Sequence, residues 1–174
     1  GGINIPIGSI NETDTNGDRL AYGMQLGSGT YDFTIGSTFA SQSNAYSFGS
    51  QIMMLIRSGE NSNGYTLGNQ TKLNGWIQLP ITNELSTSFQ SIIHIVQNIN
   101  GSDDSLMTAM SPSNSTEQGY TQASIAIGMN YLAKSGFFNG NRAAIEYNVP
   151  VYTTTNTTQL IRESTLTLGI QRGL

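Results

Sequence analysis

Along most of the chain, apolar residues fall at every second position. In GTYDFTIGSTFA, Tyr31, Phe33, Ile35 and Phe39 alternate with Asp32, Thr34, Gly36, Thr38 and Ala40. Successive side chains of a strand point to opposite faces, so this period predicts a β-strand with one apolar and one polar face. The same reading predicts eight strands: INIPIG, GTYDFTIGSTFA, AYSFGSQIMMLIR, YTLGNQTKLNGWIQLPI, ELSTSFQSIIHIVQN, YTQASIAIGMNYLA, NRAAIEYNVPVY and STLTLGIQRGL. Most are longer than the roughly five or six residues usual in soluble sheets. They match or exceed the ~9–11 residues of a tilted strand that crosses a bilayer. Pro6 cannot donate to a ladder, which places INIPIG at an edge or a bulge.

The connections alternate in length. SQSN, TNE and KSGFFNG are short. SINETDTNGDRLAYGMQLGS, SGENSNG, INGSDDSLMTAMSPSNSTEQG and TTTNTTQLIRE are longer. Short turns on one side and long loops on the other are the mark of an up-and-down barrel in an outer membrane. Tyr31, Tyr46, Tyr65, Tyr120, Tyr131 and Tyr152 sit near predicted strand ends, where aromatic girdles mark the two interfaces.

Composition narrows the class. Only 10% of the 174 residues are charged, against about 25% in a typical soluble domain. Hydrophobic residues make up 37%, so the polar remainder is neutral: Gly, Ser, Thr, Asn and Gln. That mixture suits a barrel with one apolar face, one uncharged polar face and charges kept to loops. A soluble β-sandwich is the alternative. The net charge of −4 offers no basic footprint for nucleic acid, and the absence of cysteine removes disulfides, thiolate ligands and thiol nucleophiles. The longest aliphatic run, Ile52 to Ile56, is far short of the ~20 residues of a spanning helix. The first residues, GGINIPIGSI, carry no basic secretory n-region.

GSGTYDF, NYLAKSGFFNGNRAAIEYNVPVY and QLIRESTLTLGIQRGL, with INIPIGSI and MQLGSGTYDF, resemble the C-terminal part of outer-membrane β-barrel proteins of the phenol degradation meta-pathway and transporter group. The resemblance runs from about Gly2 to Leu174 and rests on hairpin motifs. It implies a barrel that passes small molecules, hydrophobic ones among them, and a chain that forms part of a larger barrel. Such barrels usually end in an aromatic residue with a second hydrophobic two places before it. Here Arg172 and Leu174 hold those places.

Three sets of residues are candidates for chemistry. Asp32, Arg57, Lys72, His94, Arg142 and Glu146 all fall on the polar face of their strands, as the lipid-face cost of about 2–4 kcal/mol for a mid-bilayer Arg or Lys requires. They are expected to line the lumen, either tuning a pore or bracing the interior. Arg142 and Glu146 lie about 13 Å apart on one strand, so each needs a partner on a neighbour. Glu12, Asp14, Asn16 and Asp18 echo a calcium loop, but position twelve is Gly23 and the closing acid is missing, so a solvated loop is favoured and no metal is assigned. Asp103 and Asp104 form a second acidic loop of the same kind. His94 is the only histidine. Ser88 lies far along its strand and Ser91 on the opposite face, so a Ser–His hydrolase is disfavoured.

The expectation is one all-β domain over residues 1–174, an antiparallel up-and-down transmembrane β-barrel of about eight strands in a Gram-negative outer membrane. It is not expected to be an enzyme, and no cofactor is implied. Its partners would be outer-membrane lipid and lipopolysaccharide, small-molecule solutes, the barrel assembly machinery and further copies in a homo-oligomer. The second reading is a structural or adhesive barrel with a plugged lumen that works through its loops.

Overall fold

A computed structural model of the chain describes residues 1–106, 111–157, 159 and 162–172. Ten strands follow in order: β1 (Gly2–Asn4), β2 (Tyr31–Gln42), β3 (Ser47–Ser58), β4 (Tyr65–Thr66), β5 (Gln70–Pro80), β6 (Leu85–Val96), β7 (Asn100–Gly101), β8 (Tyr120–Leu132), β9 (Asn141–Thr155) and β10 (Thr165–Arg172). Eight form one antiparallel sheet in the order β1-β2-β3-β5-β6-β8-β9-β10, and β4 pairs with β7 apart from it. Each sheet strand neighbours the next one in the chain, which is the up-and-down order expected.

The register builds two unlike faces. Phe33 lies opposite Ile56, Ile52 opposite Leu73, Leu73 opposite Ile93, Phe89 opposite Ile127, Ile127 opposite Tyr147 and Tyr147 opposite Leu166. This face is a continuous apolar surface from β2 to β10, and it is open: Ile127 is 51% exposed and Ile170 88%. Among the described strand residues, only Arg172, at the last position of β10, brings a charge to it. Tyr31 and Tyr152 stand at one end of this face, Tyr46 and Tyr131 at the other, all exposed. The opposite face carries the polar set and is less exposed.

Three connections at one end are tight: residues 43–46, 81–84 and 133–140. The four at the other end (5–30, 59–69, 97–119 and 156–164) are long, except that the last is moderate. Among the described residues the buried apolar cluster is there, within the loops rather than the sheet. Tyr22, Tyr65, Ile99 and Leu106 pack together with Leu67 against them. The Tyr22 and Tyr65 rings meet edge to face at 4.8 Å. Asp103 donates its backbone N–H to Tyr22 Oη at 3.0 Å, and Asn63 Nδ2 reaches the Ile10 carbonyl at 3.0 Å. The loops therefore fold into one cap with its own core.

At four points the structure stops short of the expectation or departs from it. The sheet is not closed: among the described residues β1 and β10 do not pair. β1 covers only Asp32 to Thr34 of β2, so among the described residues the remaining edge of β2 and the outer edge of β10 have no strand partner. Second, the first strand stops at Asn4, before Pro6, where the ladder would lose a donor. Third, YTLGNQTKLNGWIQLPI is not one strand. Tyr65 and Thr66 belong to the cap, and Gly68 lies so close to the Gln97 carbonyl that a Cβ there would fall 1.8 Å from its oxygen. Tyr65, 1% exposed, is thus a cap-core residue and not a girdle residue. Fourth, Tyr120 turns to the polar face, against His94. At β9 an extra residue shifts the register between Ala123 and Ser124, beside Pro150. A bulge is where a strand tolerates proline.

Candidate functional site: the concave polar face

The six ionisable residues of the polar face share one side of the sheet, as their parity requires. Asp32 lies directly opposite Arg57, and Lys72 directly opposite His94. Arg142 and Glu146 are on β9 and face the same way.

At the loop end, Asp32 is 2% exposed and fully engaged. It accepts from Ser28 Oγ at 2.9 Å, from Thr30 Oγ1 at 2.7 Å and from the Arg57 guanidinium. Ser28 and Thr30 belong to the connection ahead of β2, and Arg57 N–H donates to Asn69 Oδ1 at 2.8 Å. The pair therefore ties two connections to the sheet. Further along, Glu146 accepts from Gln90 Nε2 at 3.1 Å, and Arg142 donates to Asn130 Oδ1 at 2.8 Å. Arg142 finds its partner on the neighbouring β8, whereas Glu146 reaches across β8 to Gln90 on β6, one strand beyond the neighbour that the sequence reading called for.

Lys72 makes no hydrogen bond or ion pair among the described residues. Its cross-strand neighbour His94 shares Nδ1 with Tyr120 Oη at 3.2 Å, the two rings standing edge to face. Gln122 follows in the same row. Ser91 is on the apolar face and Ser88 lies six residues along β6, about 20 Å away, so neither approaches His94.

A cavity of about 240 Å³ opens here, lined by Lys72, His94, Gln122, Ser124, Glu146, Asn148, Arg162 and Thr165 among others. Its walls run from β5 to β10, four strand steps. On a flat sheet those strands would be about 19 Å apart. The polar face is therefore concave. The cap reaches across the same end: Ala21, Gly23 and Met24, ahead of β2, line a cavity of about 450 Å³ together with Gln159, ahead of β10.

The calcium-like loop behaves as a turn. Asp14 Oδ1 accepts from the backbone N–H of Asn16 at 2.8 Å and of Asp18 at 3.0 Å, inside a small hairpin bridged by Thr13 and Arg19. Among the described residues no group of three acids or histidines converges as metal ligands would. Asp103 accepts from the Ser105 N–H at 2.8 Å and faces Arg19 at 3.8 Å, so it braces the cap.

No family model, characterised protein or solved structure matches this chain. The functional reading rests on the geometry alone. Sequence reasoning placed Lys72, His94 and Glu146 on one face but did not bring them to one cavity. It also missed Gln122, Ser124, Asn148 and Arg162, because cross-strand register decides which residues meet and leaves no mark in a single strand's pattern.

Proposed function

We propose that the sheet curls until its free edges meet, directly or through further strands, and forms an outer-membrane β-barrel of a Gram-negative bacterium that acts as a passive pore or transporter for small molecules, hydrophobic ones among them. The observation that carries this reading is the inverted distribution of polarity. The apolar face is convex and exposed across seven strands, and the polar face is concave. Soluble proteins rarely leave contiguous apolar patches beyond a few hundred Å² in water. In a bilayer such a face is solvated by acyl chains, and only closure satisfies the edge groups of β2 and β10. Strands of 11 to 15 residues in β2, β3, β5, β6, β8 and β9 reach across the hydrocarbon layer when tilted.

In this reading Asp32, Arg57, Lys72, His94, Arg142 and Glu146 line the lumen, and lipopolysaccharide and the barrel assembly machinery are the membrane-side partners. Asp32, Arg57, Arg142 and Glu146 are all paired or hydrogen-bonded, so they brace the wall. Lys72 is left to act on a solute. The test is conductance of the purified protein in a planar bilayer. Discrete, reproducible openings support the pore, and a silent bilayer with folded protein present overturns it.

One observation favours the second reading, a barrel that works through its loops. The cap has its own packed core and joins connections from across the sheet. A plugged, adhesive barrel would be silent in the bilayer and would lose its binding when the loop around Asp103 is shortened. A pore would instead change its conductance on the same truncation.

A further inference from the structure

We propose that the cavity around Lys72 binds a small organic anion, a carboxylate on a compact apolar body, as the selecting step of passage. This rests on the pore reading and names its solute class. The cavity holds two permanent cations, Lys72 and Arg162, against one carboxylate, Glu146. Glu146 is already engaged by Gln90. Neither cation has a hydrogen bond or ion pair among the described residues. Elsewhere on this face the charges are spoken for: Asp32 by Arg57, Arg142 by Asn130. Free positive charge on the concave face is thus concentrated at one place.

The remaining lining suits the same ligand. Gln122, Ser124, Asn148 and Thr165 supply neutral hydrogen-bonding groups around the cations. Ile92, Ser124 and Pro150 lie in one cross-strand row and offer two apolar contacts on either side of a buried hydroxyl. A volume of about 240 Å³ accommodates roughly eight to ten non-hydrogen atoms, the size of a ring bearing a carboxylate. A few placed polar groups with apolar contacts beside them is the ordinary make-up of a small-molecule site.

Equilibrium dialysis of benzoate against the full chain, folded in detergent at low ionic strength, tests this. Benzamide, the same shape without the charge, is the control. Benzoate should bind about tenfold more tightly than benzamide, because a charge-assisted hydrogen bond is lost with the carboxylate. Lys72→Gln should remove most of that preference, and Glu146→Gln should tighten benzoate binding. The second variant removes a charge rather than a bond to the cations, so gain of affinity cannot come from misfolding. Equal binding of benzoate and benzamide, or unchanged binding in Lys72→Gln, overturns the site. Selective binding with a silent bilayer keeps the site and sinks the pore. Open channels without charge-selective binding do the reverse.

Discussion

Removing one member of the Asp32–Arg57 pair should be the most damaging single change on the polar face. Their side chains are 3% and 11% exposed, so either charge would be stranded out of water. Arg57→Ala leaves a carboxylate with only the Ser28 and Thr30 hydroxyls. Asp32→Ala leaves a guanidinium whose Nε already has no partner among the described residues. Breaking a buried pair from one side costs about 3–5 kcal/mol, far more than an exposed pair is worth. The double variant Asp32→Ala/Arg57→Ala strands neither charge, so its loss should fall well short of the sum of the two singles. Urea unfolding of the lipid- or detergent-folded protein, followed by the emission of Trp76, gives all three values. The chain has a single tryptophan, which keeps the signal to one site. A loss below about 1 kcal/mol for Arg57→Ala, or strictly additive losses, would refute the reasoning, since surface pairs behave that way.

Two further outcomes follow from the geometry. A Cβ on Gly49 would lie 2.3 Å from Trp76 Cζ2 and 2.6 Å from the Phe39 carbonyl oxygen, so Gly49→Ala should cost about 1–3 kcal/mol and shift the Trp76 emission; an unchanged spectrum and midpoint would show that the ring does not rest on that glycine. Burial pushes the Tyr65 phenol above the ordinary tyrosine value of ~10. The unfolded chain then loses this proton first as pH rises, so the contribution is intact below about pH 10 and is lost through the raised folded value. Stability against pH should fall less steeply above that point in Tyr65→Phe than in the parent, and parallel curves would contradict the assignment of Tyr65 to the cap core.

Strand positions were legible because the alternation of Phe33 with Thr34, or Ile127 with Gly128, is a local property that pairing only has to respect. The up-and-down order was legible in the loop lengths for the same reason. What could not be read were events set by distant segments. Tyr65 looks like the start of a strand until Tyr22 and Gly101 arrive, from positions about 40 residues away in either direction. Tyr120 is a different case: it is in phase with Ser124 and Ala126, so the alternation already turned it inward to His94, and the girdle reading overlooked that parity. The six ionisable residues were found by face alone, but which of them remains free depended on Gln90 and Asn130, neutral residues that carry no signal of their own.

The central claim is that the convex apolar face meets lipid while the concave polar face does not. The chain has no cysteine, so single cysteines can be placed at each position from Ser124 to Met129 and labelled with a small fluorophore. In vesicles of brominated lipid, labels at Ile125, Ile127 and Met129 should be strongly quenched and those at Ser124, Ala126 and Gly128 weakly, with a period of two. Uniform quenching along the strand, or quenching of the polar positions instead, would contradict the account.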